Sequence, residues 1–272
     1  MARNEIPVVL VISATDPTGG AGMATDIRVC QRNGAYPMCC VTAITVQNQN
    51  GLTDILPTPP EVIRRQLEAA YEAAVPDAVK IGLIPTPEAV EAIADVLSAH
   101  NRRNVVLDPV LAPTCGGDFM SDRDAVMLAM AERLFPLTEL VTPNIPEYDS
   151  FNAIAVNGHN AWSRACNILL KGGHDNPESC SCTDSLIRDG QETKRFRSDR
   201  IDSDNLHGTG CFLSSAIASR LAADYPLETA ISLAKDDLTA EIRNSSHDRL
   251  IPGYGPVFTI HRNYNPTDIA LL

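Results

Sequence analysis

The chain lacks any apolar stretch approaching the roughly 20 residues that a membrane span requires, so no spanning segment is expected in its 272 residues. The early run from Pro7 to Ala14 follows acidic Glu5 and stops at Asp16-Pro17, which is wrong for a secretory signal and suggests a cytoplasmic protein. Basic residues are short. Lys and Arg number 22 against 34 Asp and Glu, for a formal net charge of -12 and a pI near 4.9. Such a surface repels nucleic acid and anionic lipid, so neither is expected as a partner, and an anionic substrate would need local features to attract it. No Gly-x-x-x-x-Gly-Lys-Ser/Thr sequence occurs, which excludes a P-loop enzyme. Gly19-Gly20-Ala21-Gly22 lacks the spacing of a dinucleotide fingerprint, which argues against a nicotinamide cofactor. There is no internal repeat, low-complexity tract or linker. Length and composition, with 44% hydrophobic and 21% charged residues, fit one large α/β domain over 1–272, with an irregular tail from about residue 259.

The eight cysteines do not read as a disulfide framework in a reducing compartment. Cys30, Cys39, Cys40 and Cys166 lie in apolar runs and are expected as small core residues. Cys180 and Cys182, with His174 upstream, lack a second pair at zinc-finger spacing. Cys211 stands apart because of the motif it closes.

Short β-branched runs alternate with segments of helical period. Val8–Ile12 reads as a buried strand, Met38–Val46 contains the next, and Leu52–Leu56 is a short third. A helix follows Pro59-Pro60 through about Ala74, with Val62, Ile63, Leu67 and Ala70 at helical spacing. Strand 78–81, helix 87–99, strand 105–107, helix 122–134 and strands 140–141 and 167–170 continue the alternation. This is the pattern of parallel crossovers, a central mostly parallel sheet covered by helices on both faces.

In that architecture ligands bind beyond the carboxyl ends of the strands. The residues there include Ser13 to Gly22, Gln47-Asn48, Gly82-Leu83, Asp108-Pro109-Val110, Pro143 to Glu147 and Lys171 to His174. The sharpest local signal is His207-Gly208-Thr209-Gly210-Cys211, opening a helix with Phe212, Leu213, Ala216, Ile217 and Leu221 on its apolar face. Two glycines at a helix mouth let successive N–H groups converge on one point, where the helix dipole adds positive potential. An ordinary turn before a helix is the alternative; the company of the other strand ends favours an anion hole.

The blocks Thr15 to Gly22, Lys80 to Leu83, Leu107 to Val110, Thr142 to Glu147, Lys171 to His174, His207 to Cys211 and Gly253 to Val257 together resemble the hydroxymethylpyrimidine/phosphomethylpyrimidine kinases of thiamin biosynthesis, a branch of the ribokinase-like superfamily. The resemblance implies a three-layer α/β/α ribokinase-like fold, MgATP as phosphoryl donor and an aminopyrimidine alcohol as acceptor. Often the resulting monophosphate is then phosphorylated to the diphosphate. It also implies a homodimer.

Carried onto this chain, the resemblance places the N–H groups of Gly208, Thr209, Gly210 and Cys211 around the transferring phosphoryl group and Lys171 on the phosphates, where the alternative for Lys171 is a solvated charge at a strand end. Asp108 and Glu147 would organise Mg²⁺ with Asn144 nearby on the nucleotide side; Asp108 could instead be a cap before Pro109. Ala14, Asp26, Gln47, Leu83 and Val110 would line the acceptor pocket. A carboxylate and an amide suit an exocyclic amine and ring nitrogens. Asp26 could otherwise complement a helix dipole, and Leu83 and Val110 could belong to the core.

Cys211 occupies the position of the catalytic Asp of many ribokinase-like enzymes, and a helix N-terminus lowers a thiol pKa, so a modest base contribution to the alcohol step alone is expected. Leu206 and Ala14 depart from the family's usual Thr and Gly, and the stretch between Glu147 and Lys171 is short, with a covering helix expected over 160–166 around Trp162. The loops 175–182 and 111–117 are candidate lids. The rival readings are a pyridoxal-type kinase and a non-catalytic ligand-binding relative; a cysteine hydrolase built on Cys211 and His207 lacks a residue to orient the His.

Overall fold

In the computed structural model the described residues are 6–112, 120, 122–154, 162–174, 180–246 and 257. Apolar runs too short for helices become strands: β1 (Val8–Ser13), β2 (Tyr36–Val41), β5 (Ala78–Ile81), β6 (Val105–Leu107), β7 (Leu140–Val141) and β8 (Asn167–Leu170). Together with β9 (Ser181–Arg188) and β10 (Gln191–Asp199) they form an eight-stranded sheet in the order β10-β9-β8-β7-β6-β5-β1-β2. The pairings from β8 to β2 are parallel, and β9 and β10 add antiparallel.

Strand alternation divides the core in two. Leu10, Ile12, Val79, Ile81, Val105 and Leu107 face one helical layer, made of α2 (Pro60–Ala73), α3 (Pro87–Ala99), α4 (Arg123–Ala129) and α5 (Ile145–Ala153). Val9, Val11, Ala78, Val106, Leu140 and Leu169 face the other, made of α1 (Gly22–Arg32), α6 (Thr209–Ala222) and α7 (Leu227–Ser245). The expected three layers and mostly parallel sheet are present.

Local chemistry sets several helix starts. Thr86 accepts the Ala89 N–H at 3.2 Å with Pro87 in the first turn of α3, and Asp122 accepts the Ala125 N–H at 3.0 Å. α4 runs on through a π-helical turn over Met130–Leu134, so the expected helix 122–134 is present with a change of pitch in its second half.

The structure differs from expectation in four places. The run 38–46 is broken at Thr42, whose hydroxyl donates to the Leu83 carbonyl at 2.6 Å. The chain therefore leaves the main sheet there, and β3 (Ala43–Asn48) pairs with β4 (Gly51–Pro57) in a separate antiparallel hairpin. Within the expected helix 160–166, the described residues hold only a 3₁₀ turn, Trp162–Arg164. Cys39 is exposed on β2, while Cys30, Cys40 and Cys166 are buried as expected. The hairpin β9–β10 and the long helix α7 had no counterpart in the sequence reading. Residues 113–117, 175–179 and the tail from 259 lie outside the described residues. No described helix is long and apolar enough to cross a membrane.

The sole tryptophan anchors the α5 side: Trp162 is 2% exposed among Phe135, Tyr148 and Phe151 at centroid distances of 5.3, 5.4 and 5.5 Å. Its indole N–H donates to Asn152 Oδ1 at 3.0 Å. Trp162→Ala is expected to destabilise the fold by about 3–5 kcal/mol, measured as a lowered urea midpoint by circular dichroism, since the substitution removes the fluorescence probe.

Candidate active site

Because β8, β7, β6, β5 and β1 are adjacent and parallel, the residues that end them share one rim: Lys171, Asn144, Asp108, Gly82 and Ala14. The mouth of α6 closes over this rim. A Cβ placed on Gly210 would lie 3.1 Å from Asp108 Oδ2 and 3.4 Å from Lys171 Nζ, so the first turn of α6 sits directly on those two side chains. Gly208, the N-cap, has φ +88°, and a methyl group there would overlap the Gly20 carbonyl oxygen. Only glycine meets both conditions at this contact.

The loop between β1 and α1 is held by Asp16, which is buried. Its Oδ1 accepts the Thr18 N–H at 2.9 Å, and its Oδ2 accepts the Ala21 N–H at 2.9 Å and lies 2.7 Å from His207 Nε2. Burial opposes its ionisation, but the bonds from His207 and Thr18 outweigh it and hold the carboxyl below the usual range. Asp16 and His207 thus join the loop before α1 to the loop before α6. Val257 adds a third strand of support by donating its N–H to the His207 carbonyl at 3.2 Å. The motifs that contain Asp16 and His207 do not by themselves reveal this link; its only signal in the sequence is that a His and an Asp in two glycine-rich loops need buried partners.

Lys171 Nζ donates to Asp108 Oδ1 at 2.8 Å, and the Thr142 hydroxyl donates to the same oxygen at 3.2 Å. Burial alone would favour the neutral amine, yet the Asp108 and Glu147 carboxylates hold the Lys171 pKa above its usual value. Lys171 is therefore charged and paired at the rim.

Asn144 and Glu147 form a capping box on α5. Asn144 N–H donates to Glu147 Oε2 at 2.8 Å, and Glu147 N–H donates to Asn144 Oδ1 at 2.9 Å. Burial and the neighbouring Asp108 raise the Glu147 pKa, against the pull of Lys171 and of the Asn144 and Leu111 amides.

Two oxygen-donor carboxylates at one rim fit Mg²⁺, which takes one or two carboxylates and keeps several waters. One oxygen of Asp108 already serves Lys171 and Thr142, and the other faces Gly210. Among the described residues no group of three or more His, Cys, Asp or Glu is placed to hold a metal ion, the Cys180 and Cys182 pair included.

Thr45 ties β3 to the β1 loop by donating its hydroxyl to the Thr15 carbonyl at 2.7 Å. Gln47, half-buried, follows Ala43 and Thr45 on the inner face of β3. Ala14 and Leu83 are buried and Val110 is partly so, packed on the core. Ala14, Leu83 and Val110 follow β1, β5 and β6, and Gln47 lies in β3.

Asp26 does not join them. Its side chain is 0% exposed and pairs with fully buried Lys80 at 2.8 Å; its other oxygen accepts the Ser215 hydroxyl at 2.7 Å. Lys80 stands on the α1 and α6 face of β5, opposite Val79 and Ile81, and so reaches α1 from below. Burial opposes its charge, but Asp26 prevails and keeps the Lys80 ammonium ionised above the usual range. Asp26 supports the floor rather than lining the pocket. The signal was a lysine inside the four-residue buried strand 78–81, which demands an acidic partner.

Cys211 also departs from expectation. Its thiol receives the Gly22 N–H, yet burial, with Asp26 and Asp108 adding to it, overrides Lys80 and pushes the pKa up to about 12. That direction runs against the lowered pKa expected of a thiol at a helix N-terminus. The Thr209 N–H turns back to the Leu206 carbonyl at 3.3 Å. The amides of Gly210 and Cys211 come before the first helical carbonyl bond, from Phe212 N–H to Gly208 O at 2.8 Å.

A lysine and two carboxylates under the amide-rich mouth of a helix, at the carboxyl rim of a parallel sheet, suit the transfer of a phosphoryl group, and fold and site together define a kinase. Comparison makes the class narrower. The family model described as phosphomethylpyrimidine kinase matches residues 16–257. The hydroxymethylpyrimidine/phosphomethylpyrimidine kinase of Haemophilus influenzae is 36% identical, over 93% of this chain and 96% of its own length. The thiamine biosynthesis bifunctional protein ThiED of Geobacter sulfurreducens is 40% identical over 92% of this chain, which spans about half (51%) of that larger protein. Among solved structures, the pyridoxal kinase from Staphylococcus aureus in complex with AMP-PCP and pyridoxal superimposes with a TM-score of 0.75 at 27% identity, covering 89% of each chain. The chain belongs to the phosphomethylpyrimidine kinase family and has its ribokinase-like fold.

Two outcomes test this geometry. Gly208→Ala is expected to cut turnover by about 100-fold while circular dichroism remains native, because the added methyl displaces the α6 mouth from the Gly20 carbonyl. With burial pushing the Cys211 thiol up to about 12, the pH-rate profiles of the parent and Cys211→Ser are expected to have the same shape from pH 6 to 9. A rising thiolate limb lost in the variant would contradict the neutral thiol.

Proposed function

We propose that this chain transfers the γ-phosphoryl group of ATP to the hydroxymethyl group of 4-amino-5-hydroxymethyl-2-methylpyrimidine, and then phosphorylates the monophosphate to the diphosphate, in thiamin biosynthesis or salvage. It acts as one kinase domain, in the cytoplasm and as a homodimer. The observation that carries the reading is the seat of Gly210 on Asp108 and Lys171, within a chain that matches the family model from 16 to 257.

The amides of Gly210 and Cys211, with the Gly208-Thr209 turn that presents them, hold the transferring group, and Lys171 neutralises its charge, with Asn144 beside it on the nucleotide side. Asp108 and Glu147 would hold Mg²⁺, which when bound screens the phosphate charge. The transition state of phosphoryl transfer is loose, so positioning and charge neutralisation supply most of the catalysis. A neutral Cys211 therefore serves as a wall of the site. Gln47 offers both donor and acceptor atoms to the aminopyrimidine edge, and Ala14, Leu83 and Val110 enclose the ring. The exposed apolar residues Ile44, Val46 and Leu56 on the outer face of the β3–β4 hairpin support the homodimer.

Pyridoxal is the competing acceptor, because the superimposable Staphylococcus aureus enzyme is a pyridoxal kinase bound to it. ADP release with MgATP and, in parallel, the pyrimidine alcohol, its monophosphate and pyridoxal decides between them. Both pyrimidines are expected to exceed pyridoxal by at least about tenfold in kcat/KM. A pyridoxal preference would install the rival, and tight binding without ADP release would point to a non-catalytic relative.

A further inference from the structure

We propose that the buried ion pair of Asp184 in β9 and Lys235 in α7 is a positioning device for Lys171. Asp184 and Lys235 are 5% and 6% exposed, and Lys235 Nζ lies 2.6 Å from Asp184 Oδ2. The other Asp184 oxygen accepts the N–H of Gly172 at 2.9 Å. Gly172 directly follows Lys171, and its Cα is pressed so closely on the Thr183 carbonyl that any Cβ would overlap it. On the other side of the same residue, the Lys171 N–H donates to the Pro143 carbonyl at 2.8 Å. The backbone that carries Lys171 is thus held from both sides, by Pro143 before β8 leaves the sheet and by the Asp184 carboxylate where it turns away.

The pair acts through one peptide bond: Lys235 fixes the Asp184 carboxylate, Asp184 fixes Gly172, and Gly172 fixes where the Lys171 stem leaves the backbone. A long, flexible ammonium then has one favoured seat, on Asp108 at 2.8 Å beneath Gly210. A pair kept only for stability needs no such link, since a buried ion pair is often matched by apolar residues of similar volume. What an apolar pair would not supply is an acceptor for the Gly172 N–H.

The inference rests on the reading of Lys171 as the phosphate-neutralising residue, and a mutant cycle separates the two. ADP release with MgATP and the pyrimidine alcohol is measured for Asp184→Ala, Lys171→Ala and the double variant, with circular dichroism for folding. Asp184→Ala is expected to lower kcat on the order of 100-fold with the acceptor KM unchanged, and Asp184→Asn, which keeps an oxygen for Gly172, to recover most of the loss. In the Lys171→Ala background the Asp184 change is expected to cost nothing more, because it acts only through the missing lysine. If Asp184→Ala does not fold, Lys235→Gln reads the same cycle, and its kcat loss must likewise vanish without Lys171. Losses that multiply, or an Asp184→Ala enzyme with the parent kcat, would overturn the positioning role alone. A Lys171→Ala enzyme at full rate would overturn the Lys171 reading and this inference with it.

Discussion

The site depends on a contact between two stretches of main chain. Gly208 approaches the Gly20 carbonyl more closely than any side chain would permit, and so the loop that leaves β1 and the loop that enters α6 share one position. The β3–β4 hairpin hangs on the first loop through Thr15 and Thr45, and the first turn of α6 begins on the second. In-line transfer needs the attacking oxygen and the phosphorus within a fraction of an ångström of their reacting geometry. A backbone contact with no rotatable bond between the two halves sets that distance more firmly than a side-chain bridge. Asp16 and His207 reinforce it and cannot replace it, since their bond at 2.7 Å has side-chain torsions at both ends.

The second constraint is charge. In a chain of net charge -12, two lysines are set at different depths near this end of the sheet. Lys80 is fully buried and fully matched by Asp26, with both carboxylate oxygens engaged by Lys80 and Ser215. Removing one partner of such a pair costs about 3–5 kcal/mol, a large share of the stability of a domain this size, and that cost explains why the pair persists as a floor under α1, β5 and α6. Lys171 has the same acidic partner type and an opening to the rim. It can exchange part of its bond to Asp108 for a phosphate oxygen without leaving a carboxylate stranded, because the Thr142 hydroxyl remains on the same oxygen.

Most of the parallel sheet and its rim were legible in the sequence because buried strands announce themselves as short apolar runs and the chemistry of such a sheet collects at one end of them. Lys171, Asp108, Glu147 and Gly210 were brought together as expected, since each follows a strand or opens a helix on that end. Asp26 was misplaced because its distance from Gly22 along the chain says which helix it is on but not which face it presents; the lysine within strand 78–81 carried that information. The hairpin β9–β10 was missed although Asp189-Gly190, with φ of 51° and 76°, is the turn pair that such hairpins favour. Its strands are rich in charge, with β10 exposed along most of its length, so hydrophobic alternation was faint there. For Cys211 the helix end favours a lower pKa and neighbouring phosphates a higher one; burial, with Asp26 and Asp108 adding to it, is the larger effect and is not visible in the motif.

That last reversal bears on how the site works. Asp108 and Glu147 share the rim with one ammonium, Lys171, and Lys80 is taken up by Asp26. A thiolate at Cys211 would add negative charge next to Asp26 and Asp108. Two unit charges about 4 Å apart interact by about 4 kcal/mol at an effective dielectric near 20, enough to cancel the benefit of a well-placed donor. A protonated thiol avoids that repulsion while filling the same volume, and the loose transition state asks little of a base until the acceptor oxygen has begun to bond phosphorus. The burial that deprives Cys211 of a base's charge is therefore the same burial that keeps the helix mouth positive toward an incoming phosphate.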